Sequence, residues 1–322
     1  MLVLNETDIL GAVTMNDMIA AVERAYAIYE DRAFEMPLRS HLQIQQNSAL
    51  FMPCGTKKAA GAKIVTVFPE NKIRPATQGI VVLIDEKNGS IKALLDGTVL
   101  TGLRTGALGG AASKYLAPDE AGTVGLAGTG YQGLYQLLAV CAVRDIRDIY
   151  LYNRSAAKIP SFIRNLTTHL AGKQIQMHAV ENARELVRHS DIIITATSSA
   201  TPVLPDEEDL YQGKLIIGIG SYLPHMQEFP DGLLKNSEQI FVDSLDAVKE
   251  SGDLLVPLEK GWLKEEQIIP FSKVAAQKVK PKLTGTKPLV FKSTGMALFD
   301  LAAAETVFEK AVQLRLGINL KM

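Results

Sequence analysis

Cysteine, tryptophan and any excess of charge are scarce in this chain. Two cysteines, Cys54 and Cys141, occur in 322 residues. They stand far apart and outside any CxxC spacing, which argues against a disulfide framework or a thiolate metal cluster. Five histidines, none at ligand-like spacing, leave no metal site to expect. Lysine and arginine number 34 against 35 acids, for a net charge of −1. The two signs are mixed along the chain, so neither a nucleic acid nor an anionic membrane surface is an expected partner. No run of about 18 uninterrupted apolar residues suggests a membrane span. The first twenty residues have acids among their apolar positions and no basic segment, unlike a secretory signal. The expectation is a cytoplasmic protein with reduced thiols.

What remains is an ordinary globular composition, 47% apolar and 21% charged, long enough at roughly 150 residues per domain for two domains. Asn16 can cap a helix over Met18–Tyr29, with Met18, Val22, Ala25 and Tyr29 on one face. Strand-like runs follow at 49–52, 62–68, 80–84 and 91–95, and Asn88-Gly89 between the last two is a hairpin signal. A helix of small residues covers 101–115, where Gly and Ala point to close packing or close ligand approach rather than to helix propensity.

From residue 122 the rhythm becomes strand–helix–strand. Short apolar strands at 123–127, 149–152, 175–179, 191–196, 214–219, 239–242 and 289–291 alternate with helical stretches, the pattern of a parallel sheet covered on both faces. A last helix over 296–314 is expected to return to the first domain. The fold class expected is α/β. A Rossmann-type dinucleotide-binding domain over 118–295 joins a smaller α+β substrate and dimerisation domain made of 1–117 with 296–322.

The strongest local signal is Gly128-Thr129-Gly130-Tyr131-Gln132-Gly133. Three glycines in that spacing are weak evidence alone. Here an apolar strand leads in and an apolar helix leads out, the setting in which a tight turn brings a pyrophosphate to a helix N-terminus. The cofactor ribose is expected at Asn153-Arg154-Ser155, at the end of the next strand. No acid is present there for a 2′-hydroxyl, whereas Arg154 and Ser155 can hold a 2′-phosphate, so NADP(H) is favoured with NAD(H) possible. Thr195, Ala196 and Thr197, after a parallel strand, and Ser293, before the last helix, are further cofactor candidates.

Three cations stand where cations are costly. Lys63 lies inside a strand on the face of Val65 and Val67, Arg104 in the small-residue helix, and Arg39 just ahead of the first strands. Each needs an anionic partner, either an internal acid or a ligand carboxylate, for which Arg offers a bidentate fork.

These landmarks together resemble the ornithine cyclodeaminase/mu-crystallin family over nearly the whole chain: MPLR (36–39), GAKIVTVFPEN (61–71), TGLRTGA (101–107), GTGYQG (128–133), YNRS (152–155) and STGMALFDLAAA (293–304). The resemblance implies a homodimer. It also implies that Arg39, Lys63 and Arg104 hold a substrate α-carboxylate with Thr77 nearby, Lys63 and Arg104 being catalytic. Members that deaminate ornithine or oxidise alanine typically carry an Asp where this chain has Tyr222. Its Pro224 and Glu228 look more like members that reduce cyclic α-imino acids. The reaction expected is therefore NAD(P)H-dependent reduction of Δ1-pyrroline-2-carboxylate, and of its six-membered homologue, to L-proline or L-pipecolate. The alternatives are an ornithine cyclodeaminase recycling bound NAD, an amino-acid dehydrogenase, and a non-catalytic NADPH- or small-ligand-binding protein of the mu-crystallin sort.

Overall fold

The computed structural model describes residues 1–71, 73 and 75–321. It divides into two compact units, Met1–Arg104 with the segment from Met296 onward, and Thr105–Gly295. No helix among the described residues is long and apolar enough to cross a membrane, and both cysteines are buried and free.

The first unit opens with strand β1 (Leu2–Leu4) and helices α1 (Glu6–Ala12) and α2 (Met15–Glu30). Thr14, not Asn16, caps α2. Its side chain takes the amide of Asp17 while Asp17 takes the amide of Thr14, a reciprocal pair that Asn16 has no acid to complete. Strands β2 (Phe34–Glu35), β3 (Ser40–Ile44), β4 (Asn47–Thr56), β5 (Ala60–Val67), β6 (Thr77–Ile84) and β7 (Ile91–Asp96) follow, then helix α3 (Gly97–Leu116). β4 to β7 form an antiparallel run, and β1 joins β7 in parallel, so the sheet is mixed. The β6–β7 hairpin turns at Gly89, whose φ of 76° suits glycine. The register aligns Met52, Lys63, Val81 and Leu95 on one face. The C-terminal helix Ala297–Leu314 packs against β4, β5, β6 and α2, with Tyr26 and Phe299 edge to face at 5.0 Å.

The second unit is a parallel sheet. Its strands are β8 (Thr123–Ala127), β9 (Asp148–Tyr152), β10 (Gln176–Ala179), β11 (Ile192–Thr195), β12 (Leu215–Gly218), β13 (Gln239–Val242), β14 (Ile268–Pro270) and β15 (Leu289–Lys292). They lie in the order β10-β9-β8-β11-β12-β15-β13-β14, and every pairing is parallel. Every residue of β11, β12, β13 and β15 is buried, which is why these segments read as continuous apolar runs. Each fully buried Ile of β11 contributes roughly 1.5–3 kcal/mol. Helix α4 (Tyr131–Val143) follows β8. The strand order reverses direction about β8 and β11, the position at which open α/β sheets bind ligands outside their carboxyl ends.

The division between the units falls inside α3, after Arg104, whereas the sequence suggested residue 117. Asp96 at the end of β7 accepts the amides of Thr98 and Val99, and the Thr98 hydroxyl accepts that of Gly79, fastening the first turn of α3 to the first unit. Further along, a Cβ on Gly106 would collide with the backbone of Tyr135, and one on Gly109 with the side chain of Gln136. The small residues of α3 thus serve close packing on α4.

Candidate active site

In the second unit, each glycine of the fingerprint has a distinct role. Gly128 has φ of 103°, and a Cβ there would lie 2.6 Å from the carbonyl oxygen of Ala196, so only glycine makes this turn. A Cβ on Gly133 would lie 2.5 Å from the carbonyl oxygen of Gly128, so this glycine lets α4 pack on the turn. Gly130 has open space within 4 Å, and it caps α4 with no side-chain hydrogen bond. The amides at this helix end are therefore available to an anion that can approach the backbone closely. The Thr129 hydroxyl and the side-chain carbonyl of Gln132 are buried with no hydrogen-bond partner, as a polar ligand would require. These features fit a dinucleotide pyrophosphate.

Asn153 ties the turn to the end of β9. Its side chain accepts the amide of Thr129 at 3.3 Å and donates to the Ser155 carbonyl at 2.9 Å, while Arg154 and Ser155 are exposed. Thr195 is buried with its hydroxyl unpartnered. Ala196 abuts Gly128, and the amide and hydroxyl of Thr197 both donate to Glu228 Oε1, at 2.7 and 2.8 Å. Glu228 Oε2 accepts the amides of Gly220 and Ser221, so this fully buried carboxylate joins the loops after β11 and β12. The Ser293 hydroxyl donates to Asp243 Oδ2 at 2.6 Å, and the amides of Thr294 and Gly295 converge on the same oxygen. Below them Lys292 and Asp253, both wholly buried, approach to 3.0 Å without the alignment of a hydrogen bond. Asp243, Asp253 and Lys292 did not stand out in the sequence, although a lysine ending the apolar run LVFK carries the same cost argument as Lys63.

In the first unit the structure brings Lys63 and Arg104 together around a residue the sequence reading passed over. Asp300 Oδ1, on the C-terminal helix, accepts from Lys63 Nζ at 2.8 Å and from Arg104 Nε at 2.9 Å. The side chains are 2%, 7% and 2% exposed for Lys63, Arg104 and Asp300. Both cations thus have an internal partner, but two cations against one carboxylate leave a positive charge uncompensated. Burial pulls Lys63 down to about 8; the carboxylate of Asp300 opposes the fall, and the charges of Arg104 and Arg39 add to it. Arg39 therefore acts on the cluster electrostatically. Thr77 is not brought to it. It opens β6 on the same sheet face, four residues from Val81, the partner of Lys63, or about 13 Å along the strand. The signal that would have found Asp300 is a lone acid in the apolar run ALFDLAAA.

A glycine turn on a parallel sheet defines a Rossmann-type dinucleotide-binding protein, whose other unit holds a buried cationic cluster. Residues 1–314 match the ornithine cyclodeaminase/mu-crystallin family, and the chain belongs to that family. It is 37% identical over 329 aligned residues to a Δ1-pyrroline-2-carboxylate reductase from Bacillus cereus, covering 100% of both chains. The solved Thermococcus litoralis Δ1-pyrroline-2-carboxylate reductase, in complex with NADH and L-proline, superposes with a TM-score of 0.93 at 31% identity, covering 99% of this chain and 100% of that one. An archaeal alanine dehydrogenase dimer with bound NAD gives a TM-score of 0.90 at 29% identity, covering 99% and 98%.

Proposed function

We propose that this protein reduces Δ1-pyrroline-2-carboxylate to L-proline with a reduced nicotinamide dinucleotide, and that it acts on the six-membered homologue as well. The observation that carries the reading is the buried Lys63–Asp300–Arg104 cluster with its uncompensated positive charge. It is suited to one carboxylate, and it belongs to a chain that is full-length similar to reductases of this substrate.

Arg104 reaches Asp300 through Nε, which leaves both terminal amino groups for a bidentate grip on the substrate carboxylate. Lys63 has two further N–H donors and a pKa of about 8, near enough to neutrality to give a proton to the ring nitrogen. A bound reduced nicotinamide would supply the hydride to C2. The chain's own contribution is orientation, fixing which ring face is presented. The amides at the start of α4 would hold the pyrophosphate, and Thr195, Ala196, Thr197 and Ser293 would contact the rest of the cofactor. Arg154 and Ser155 favour NADP(H), NAD(H) remaining a substrate. The functional domains would be 118–295 for the cofactor and 1–117 with 296–322 for the substrate and for dimerisation, with α3 counted whole in the latter although its contacts divide after Arg104.

A homodimer accounts for the outward face of the first sheet. The register places Leu42, Phe51, Ile64 and Ile80 on the face opposite Lys63, and Leu42, Phe51 and Ile80 are 53%, 40% and 38% exposed. Apolar side chains so grouped point to a covering partner. Phe51→Glu should yield a monomer by sedimentation, and a dimer unchanged at micromolar concentration would remove this face from the interface.

The test of function follows NADPH and NADH absorbance with Δ1-pyrroline-2-carboxylate, beside ammonia release from ornithine. Cofactor loss with the imino acid and no ammonia supports the reductase. Ammonia without net cofactor loss would put the cyclodeaminase in its place. Tyr222 argues against that outcome, because no carboxylate stands there to handle a substrate amine.

A further inference from the structure

Asp300 is the fourth residue of the C-terminal helix, in a stretch whose other first seven residues are apolar. A carboxylate taken out of water there is costly unless its partners repay the desolvation. Its geometry is asymmetric. Oδ1 accepts both Lys63 Nζ and Arg104 Nε, while Oδ2 is buried with no hydrogen-bond partner. One oxygen thus sets the direction of two cations, and it meets each on a nitrogen or a hydrogen that leaves the others available.

The charged and titratable groups facing Lys63 come from every neighbouring element. Asp300 faces it from the C-terminal helix, Arg104 from α3, and Arg39 from the segment before β3. Cys54 of β4 lines a small cavity together with Lys63 and Asp300, with burial and Asp300 pushing its thiol up to about 12, so it stays neutral. Asp300 is therefore the anion that opposes two cations around Lys63.

We infer that Asp300 is a positioning residue, keeping Lys63 protonated and holding the Lys63 and Arg104 donors toward a common carboxylate. The inference rests on the carboxylate-binding reading of this cluster given above. Removing the Asp300 charge leaves Lys63 facing cations alone, so its ammonium form is lost at a lower pH and anion affinity goes with it. Asp300→Asn keeps the side-chain shape while removing the charge, and Asp300→Glu restores the charge.

The experiment uses the cofactor-loaded full chain and pyrrole-2-carboxylate, a planar carboxylate with no reducible imine. Its binding is read by NADH fluorescence across roughly pH 5.5 to 9.5, a range that brackets the titration of Lys63. In the wild type affinity should decline as pH rises through about 8. In Asp300→Asn the decline should come at least about one pH unit lower, giving roughly a tenfold loss at pH 8 that shrinks toward pH 6. Asp300→Glu should recover most of it. Lys63→Arg, which does not titrate in this range, should flatten the profile.

A loss in Asp300→Asn that is equal at every pH would reduce Asp300 to a packing role and overturn the inference, as would an unmoved decline. A decline that persists in Lys63→Arg would overturn it too, by assigning the titration elsewhere. If Asp300→Asn fails to fold, the Lys63→Arg profile and the Asp300→Glu recovery decide. Turnover is measured separately. A wild type that binds the probe with the expected profile but never reduces the imino acid removes the reductase reading and leaves the role of Asp300 standing.

Discussion

Under the proposed function, the two units offer anionic groups opposite means of binding. The first offers formal charge on side chains. Lys63, Arg104 and Asp300 come from a strand and two helices and meet in a site nearly closed to water. The second offers backbone. The turn from Gly128 to Gly133 carries no cation, and open space at Gly130 replaces a side chain. A charge buried with its counter-charge is strong and sensitive to pH and to geometry. A helix end exposing its amides is weaker per contact, indifferent to pH near neutrality, and sensitive to a single methyl group. The difference suits a small substrate whose carboxylate must be held in one orientation, and a large cofactor whose affinity is spread over many contacts.

The hardest blow to the charged site is Arg104→Ala or Lys63→Ala. Each removes charge-assisted hydrogen bonds of about 1.5–3 kcal/mol apiece and leaves Asp300 with a single partner. The expected fall in kcat/KM for the imino acid is a hundredfold or more, by roughly 3 kcal/mol of lost transition-state binding, with NADPH affinity within about twofold of wild type. Steady-state kinetics beside cofactor titration check this. Wild-type kinetics in both variants would take the substrate away from this cluster, and equal loss of cofactor affinity would erase the contrast between the units.

The backbone site is separated from its scaffold by two glycines. Gly130→Ala should leave the melting temperature within about 1 °C, since φ of −101° suits alanine and nothing lies within 4 Å of the new methyl. It should weaken NADPH by about tenfold or more, because the methyl occupies the space the pyrophosphate approaches. Gly128→Ala, at φ of 103° with a carbonyl in the way, should instead lower the melting temperature by roughly 5 °C or more. If Gly130→Ala binds NADPH normally, the pyrophosphate does not lie on this turn.

How much of this was legible in the sequence follows from how local each signal is. Asn88-Gly89 and the glycine turn are contained within a few residues, and both stand where expected. The runs of β11, β12 and β15 are legible because burial on both faces leaves no polar alternation. Lys63 and Arg104 are legible through the cost of placing a cation among apolar neighbours. Their partner is not, because Asp300 lies 237 and 196 residues away along the chain and nothing local says which acid will answer. Strand β1 escapes for the same reason. Three residues long, it is defined by pairing with β7 and with Ile318–Asn319, near opposite ends of the chain. The boundary inside α3 escapes because one continuous helix serves two cores, its first turn fastened by Asp96 and its glycines packed on α4.

The smallest expected effect concerns the edge of the backbone site where a side-chain charge does enter. Arg154 is exposed at the end of β9, in a turn that Asn153 pins through the Ser155 carbonyl. A 2′-phosphate placed there meets a guanidinium, whereas a 2′-hydroxyl meets no acid. Because the contact is exposed, solvent and salt screen it, so its worth is modest. Arg154→Ala should weaken NADPH about tenfold at low salt and less at high salt, leaving NADH within about twofold. The ratio of the two dissociation constants, measured at two ionic strengths, isolates this charge from the rest of the site. A ratio unmoved by the substitution would place the 2′ position away from Arg154. A fall in NADH affinity of the same size would show that the residue shapes the turn instead of reading the phosphate, and the second unit would then recognise its cofactor by backbone alone.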